Sequence, residues 1–163
     1  MMYVLYVRGG SELTIVEELW CINITAYCPR QIKAERRRGQ WQYVERIIFT
    51  GYVFIDVPEL TAKLWHIIMK CTGAIRFVSL CSLPDNEDGY IRQLCNDGNC
   101  IDVSRGYVSD GALHITDGFM TNLDHEIVKF NRRGRRASAD VTLYGEKHRI
   151  VFSVEFDDPP ALP

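Results

Sequence analysis

The chain has 163 residues, 47% of them apolar, and a formal net charge of −2. That is enough for one ordinary domain, or for one of about 100 residues followed by a small barrel. No apolar run approaches the roughly 18 residues of a membrane-spanning helix, and no charged n-region with an apolar h-region opens the chain, so a soluble, unexported, cytoplasmic protein is expected. The six cysteines (21, 28, 71, 81, 95 and 100) show no C-x-x-C spacing. They read as reduced thiols without a metal, with a Cys95–Cys100 disulfide as the alternative.

In chain order, MYVLYV (2–7) alternates Tyr3, Leu5 and Val7 against Val4 and Tyr6, a strand apolar on both faces. Ser11 is placed to cap a helix over 12–20, with Leu13, Val16 and Trp20 as its apolar stripe and Ile15 and Leu19 beside them. A strand over 24–29 follows. QIKAE (31–35) and WQYVE (41–45) then flank a turn at Gly39 as the arms of a β-hairpin with a basic tip, Arg36, Arg37 and Arg38, and Lys33 lies near it. The pattern continues with a strand over 51–57, a helix over 60–70, a strand over 74–78 and a short helix over 87–95 behind the acidic start DNED.

Past residue 96 the texture changes to turn-rich stretches and short β segments, ALHIT, HEIVKFN, ASADVTLY and HRIVFSVEF, the spacing of a small closed barrel. The fold class expected is α+β: an N-terminal antiparallel sheet with flanking helices over 1–98, a linker or β extension over 99–109, a barrel over 110–157 and a loose tail over 158–163.

Charge is segregated within the second part. Lys129, Arg132, Arg133, Arg135 and Arg136 stand together in KFNRRGRR with no acid among them, and taking their +5 from −2 leaves −7 for the rest of the chain. Arginine suits phosphate because its planar fork donates two hydrogen bonds and it also stacks on a base. Lys147, His148 and Arg149 are expected on the adjoining strand pair. A solvated, solubilising surface is the plainer explanation of the cluster. No H-E-x-x-H, P-loop, G-x-S-x-G or dinucleotide glycine run occurs, so no enzyme, cofactor or metal site is expected, and His66, on an apolar helix face, His114 and His125 read as structural.

The strand and helix at the start, the basic hairpin, FTGYVFI (49–55) and GAIRFV (73–78) resemble the N-terminal domain of the NusG family of transcription elongation factors, and ITDGFMTNLDHEIVKFN with VTLYGEKHRI is similar to that family's C-terminal KOW domain, an SH3-like β-barrel. Within the family, IDVSRGYVSDG and the arginine-rich hairpin look most like the LoaP-type antiterminators. The resemblance implies that Tyr6, Phe49, Tyr52 and Phe54 form an aromatic face gripping the clamp helices of bacterial RNA polymerase; an ordinary core role is the alternative for these four. It also implies that Arg36, Arg37 and Arg38 lie near upstream DNA, that the cluster at 129–136 binds a nascent RNA hairpin, and that a monomer suppresses termination. Tyr52→Ala with Phe49→Ala is expected to keep the fold and weaken polymerase binding. Two departures stand out: Thr50 replaces the proline of the usual F-P-G-Y, and His125 replaces a glycine of the KOW motif. The rival functions are a general elongation factor whose barrel binds a ribosomal protein or Rho, and an RNA-binding module unrelated to transcription.

Overall fold

The structure, a computed structural model, describes residues 1–95, 100–121 and 127–161. His125 lies outside them. Backbone contacts group the chain into two units, Met1–Pro29 with Ile47–Asn99, and Arg30–Arg46 with Cys100–Pro163.

In the first unit β1 (Met2–Val7), β2 (Thr25–Tyr27), β5 (Tyr52–Asp56) and β6 (Ala74–Phe77) form a sheet in the order β2-β5-β1-β6, with α1 (Glu12–Cys21), α2 (Ala62–Met69) and α3 (Asp85–Leu94) in the same unit. Every pairing in this sheet is antiparallel, and Tyr6 stands opposite Tyr52 and Val4 opposite Phe54. Because alternate side chains on a strand point to opposite faces, Tyr3, Leu5 and Val7 go to one side, where they share a buried cluster with Ile15, Leu19 and Ile68 of the helices. Met2, Val4 and Phe54 go to the other side and are buried too. There α3 supplies the buried Ile91 and Leu94, and it is fastened at Asp88, which accepts from the Met2 N–H at 3.1 Å, and at Arg92, whose two nitrogens meet Asp56 at 2.7 and 2.9 Å.

Helix α1 is rotated from its expected phase by one residue. Its buried positions are Glu12, Ile15 and Leu19, whereas Leu13 and Trp20 are exposed. Trp20 is held instead by its indole N–H, which donates to the Ala26 carbonyl at 2.8 Å, and by an edge contact with Tyr27. Ser11 makes no side-chain capping bond. The Glu12 carboxylate takes over, accepting from the Gly10 and Gly51 N–H groups at 3.1 Å while itself only 1% exposed. A buried carboxylate is tolerated only with such donors.

The second unit contains β3 (Arg30–Arg37) and β4 (Gln40–Ile47), which with β7 (Cys100–Ile101) make a three-stranded sheet ordered β4-β3-β7. The remaining strands, β8 (Ser104–Ser109), β9 (Ala112–Asp117), β10 (Ile127–Asn131), β11 (Arg136–Leu143) and β12 (Glu146–Asp157), pair in the order β10-β11-β12-β8-β9. The twelve-residue β12 is the spine: it runs antiparallel to β11 from Glu146 to Ser153 and parallel to β8 from Val154 to Asp157. Its buried apolar positions are Ile150, Phe152 and Val154, and those of β11 are Ala137, Ala139, Val141 and Leu143.

The sequence division left the β3–β4 hairpin in the first domain; the contacts group it with the C-terminal strands. The buried Gln31 amide donates to the Val151 carbonyl at 2.9 Å, and the Ala34 N–H donates to Ser153 Oγ at 2.9 Å. These bonds seat β3 on β12. Within 99–109, β7 pairs with β3 and β8 with both β12 and β9, so most of that stretch is strand. No Cys95–Cys100 disulfide is formed.

Candidate nucleic-acid interface

The arginine-rich segment is a tight turn between β10 and β11. Asn131 Oδ1 accepts from the Gly134 N–H at 2.9 Å, and the Arg135 N–H reaches the Arg132 carbonyl at 3.3 Å. It is Arg135, not Gly134, that takes the left-handed backbone, at φ 52°. That conformation is costly for a residue with a side chain, and two contacts hold it. Its carbonyl accepts from the Val154 N–H at 3.0 Å, and its guanidinium stacks over the Trp41 ring at 4.3 Å. Arg135 is therefore a strut within the unit, and the turn leaves Arg132, Arg133 and Arg136 exposed around it.

Arg133 and Arg136 line two neighbouring grooves, each about 610 Å³. The first lies against the β3–β4 hairpin and is walled by Lys33, Arg36, Arg37 and Trp41; the second carries Lys129 and Arg132, and Val151 lines both. The expected basic turn and the expected basic hairpin tip thus face the same space. Among the described residues no salt bridge engages Lys33, Arg36, Lys129, Arg133 or Arg136. Arg132 has a distant contact of 3.8 Å with Asp158, which is 99% exposed. Glu35 is the acid on the wall, and Arg46 at 2.8 Å and Arg37 at 3.5 Å already bracket it; the hydrogen bond from Arg46 holds its carboxyl below the ordinary value. Burial pushes the Lys33 ammonium below its usual range, and Arg136 adds to that while Glu35 opposes it. Like charges gathered with so little acid favour an anionic ligand.

Four expected residues, Lys147, His148, Arg149 and Arg38, do not join this space. Thr142 pairs with Lys147, Val141 with His148 and Asp140 with Arg149, whereas Arg136 pairs with Ser153. At roughly 3.3 Å per residue this puts Lys147 about 13 Å along β12 from Val151, the nearest groove residue on that strand. Arg149 is moreover engaged by Asp140 at 3.1 Å. Arg38 sits in the hairpin turn at φ 52°, exposed and outside the groove lining. Sequence reasoning missed Trp41 as the platform beneath Arg135; an aromatic within a basic hairpin was the available signal.

In the first unit the four expected aromatics separate. Phe49 and Phe54 are 2% and 0% exposed and meet edge to face at 5.5 Å, so they are core, not surface. Phe49→Ala is therefore not a fold-preserving change. Tyr6, at 38% exposure, and the half-buried Tyr52 lie opposite each other with ring centres 5.9 Å apart, and Arg76 flanks Tyr6 at 5.6 Å. They are positioned by the turn Phe49-Thr50-Gly51-Tyr52, closed by the Tyr52 N–H on the Phe49 carbonyl at 3.2 Å. Gly51 has φ 87°, and a Cβ there would come within 3.3 Å of the Tyr6 ring. Only glycine fits that place without strain.

A family model described as "Transcription termination factor nusG" matches residues 2–91, more than half of the chain. The chain belongs to the NusG family. A search of curated proteins found no match. NusG-family proteins are transcription elongation and termination factors that act with RNA polymerase, and the matched span carries both the Tyr6–Tyr52 pair and the β3–β4 hairpin of this NusG-family chain. Among its described residues no group of three His, Cys, Asp or Glu side chains is placed to hold a metal ion, and no helix is long and apolar enough to cross a membrane. The expected structural histidines differ in setting: His114 stacks on Tyr107 at 5.1 Å, whereas His66 is exposed beside Trp65.

Proposed function

We propose that this NusG-family protein is a specialised antiterminator of the LoaP type, holding RNA polymerase through its N-terminal unit and a nascent RNA hairpin through the basic turn between β10 and β11. On this reading β8 to β12 are the strands of an SH3-like KOW barrel, and Lys129, Arg132, Arg133 and Arg136 are the RNA contacts. Tyr6 and Tyr52 meet the polymerase clamp helices, because aromatic side chains with few rotatable bonds anchor well in the grooves of a helical surface. Tethering RNA to polymerase raises the effective concentration of the leader signal throughout elongation, and a clamp held closed resists the opening that termination requires. The protein acts as a monomer, with no cofactor and no covalent chemistry.

The observation that carries this reading is that Arg133 and Arg136 face open grooves without a salt-bridge partner among the described residues, in a chain whose net charge is −2. A surface serving solubility alone would have no reason to concentrate its cations. The test is transcription in vitro across an intrinsic terminator, with and without the leader encoded upstream of the chain. Readthrough that requires both leader and protein is expected. Readthrough or pausing effects independent of the leader would favour a general elongation factor, and no effect together with a failed polymerase pull-down would favour an RNA-binding module outside transcription.

A further inference from the structure

The family resemblance treats the hairpin tip and the basic turn as separate devices, one near DNA and the other on RNA. We infer that they are two walls of one RNA site: Lys33, Arg36 and Arg37 of β3 act with Arg133 and Arg136 on a single stretch of ribose–phosphate backbone. This rests on the RNA-binding reading above and adds to it the hairpin as a second contact surface.

Proximity is the first argument. All five cations line the same groove of about 610 Å³, and Lys33 feels the charge of Arg136 directly. Rigidity is the second. The hairpin is seated on β12 by Gln31 and Ala34, while Trp41, from its other strand, lies under Arg135 of the opposing turn. The Tyr43 hydroxyl adds a bond to Glu155 at 2.5 Å. The walls are therefore fixed before any ligand arrives, and a preorganised site loses little freedom on binding.

Charge balance is the third argument. Five cations face the single carboxylate of Glu35, which Arg46 bridges from outside the groove. The partner class follows from the lining. Cations with Ser153 and one aromatic already covered by Arg135 offer donors for phosphate oxygens and no free platform for a base. Binding through these walls should be driven by counterion release and be indifferent to sequence, leaving preference to bases elsewhere in the RNA loop.

The test uses the full chain and a labelled RNA stem–loop, with a DNA stem–loop of the same sequence as comparison, and reads affinity against salt. One variant carries Lys33→Gln, Arg36→Gln and Arg37→Gln; a second carries Arg133→Gln and Arg136→Gln; circular dichroism and thermal melting confirm folding of each. The first variant, which removes three cations, should flatten the slope of log K against log salt by roughly 2 to 3 units, so that a fourfold rise in salt costs it about 20- to 40-fold less affinity than it costs wild type. Glu35→Gln, which removes the acid from the wall and releases Arg37 and Arg46 from it, should tighten RNA binding. If the hairpin variant binds RNA with the wild-type slope, or loses DNA binding alone, the joint groove is wrong. In that case a weakened Arg133/Arg136 variant leaves the RNA reading standing, whereas two unaffected variants remove both.

Discussion

The Arg135 guanidinium lies 4.3 Å over the ring of Trp41, so a residue of the basic turn is anchored on the hairpin opposite. A stack of this kind contributes about 0.5–2 kcal/mol, depending on how far it is desolvated, while a left-handed backbone costs a non-glycine residue about 1–2 kcal/mol. The two terms nearly offset each other. Arg135→Gly, which loses the stack and relieves the backbone, should thus be close to neutral, whereas Arg135→Ala should lose about the whole stack. Urea denaturation of both, with Trp41→Ala to close a double-mutant cycle, measures the coupling; additive Trp41 and Arg135 effects would mean that the stack contributes nothing.

Burial divides the aromatic set into two experiments. Phe54→Ala and Phe49→Ala should each destabilise the first unit by about 3–5 kcal/mol, since a buried phenyl ring leaves a cavity that the surroundings only partly fill. Tyr6→Ala with Tyr52→Ala should cost much less stability and reduce polymerase capture. A folded double tyrosine variant that pulls down polymerase as well as wild type would remove Tyr6 and Tyr52 from the interface.

Thr50 occupies the second place of a turn whose third place, Gly51, has φ 87°. This is the type II pattern, in which proline is favoured at the position Thr50 holds. Thr50→Pro should stabilise the chain by about 0.4–1 kcal/mol by restricting the unfolded ensemble, a rise of roughly 1–4 °C in Tm. A fall in Tm would show that Thr50 holds a backbone angle proline cannot adopt.

Asp56 supplies a pH dependence. Its hydrogen bonds from Arg92, with smaller help from the chain's amino group, hold its carboxyl below the ordinary value of 3.8 in spite of burial. The folded state then binds the proton less readily than the unfolded state does, so the stabilisation is complete above the unfolded value and is lost as pH falls from there through the folded one. Arg92 is 42% exposed, so screening keeps the effect modest. Melting curves from pH 6 to pH 2 should show a shallower acid loss in Asp56→Asn than in wild type; identical slopes would mean that the pair has no part in acid sensitivity.

Thiol reactivity should follow burial. Cys21 and Cys81 are exposed, whereas Cys28 and Cys95 are buried, and burial, with Cys28 nearby, pushes the Cys95 thiol up to about 12. Since the thiolate is the nucleophile, an alkylating reagent at pH 8 should label positions 21 and 81 in the native protein and reach 28 and 95 only on unfolding. Mass spectrometry of the modified peptides distinguishes these cases, and early labelling of Cys95 would contradict its burial.

Element order was legible because strands and helices announce themselves by period. The hairpin arms, for example, alternate around the Arg38–Gly39 turn, where both residues have positive φ. What covers a face is not written in its period. Phe54 shares a face with Tyr52, yet Phe54 is fully buried and meets Phe49 edge to face while Tyr52 is half-buried. The phase of α1 was misread because Leu13 and Trp20 look like core, while the deciding residue, Glu12, looks like solvent. In the basic turn the cluster itself was plain, but its neighbours were not. Lys147, His148 and Arg149 are close in chain order to β11 yet lie toward the far end of β12 by register, and Lys33 to Arg37 are distant in sequence yet share its groove.

Seating the hairpin on β12 has a further cost in time. Ala34 meets Ser153 across 119 residues, and at the usual 5–20 residues per second a ribosome needs on the order of ten seconds to make that interval. Throughout it β3 and β4 emerge as a ribbon whose docking partner has not yet been translated. An exposed two-stranded ribbon is marginal by itself and prone to pair with other chains, so nascent-chain crowding or ribosome stalling before residue 153 is when this protein is most open to aggregation.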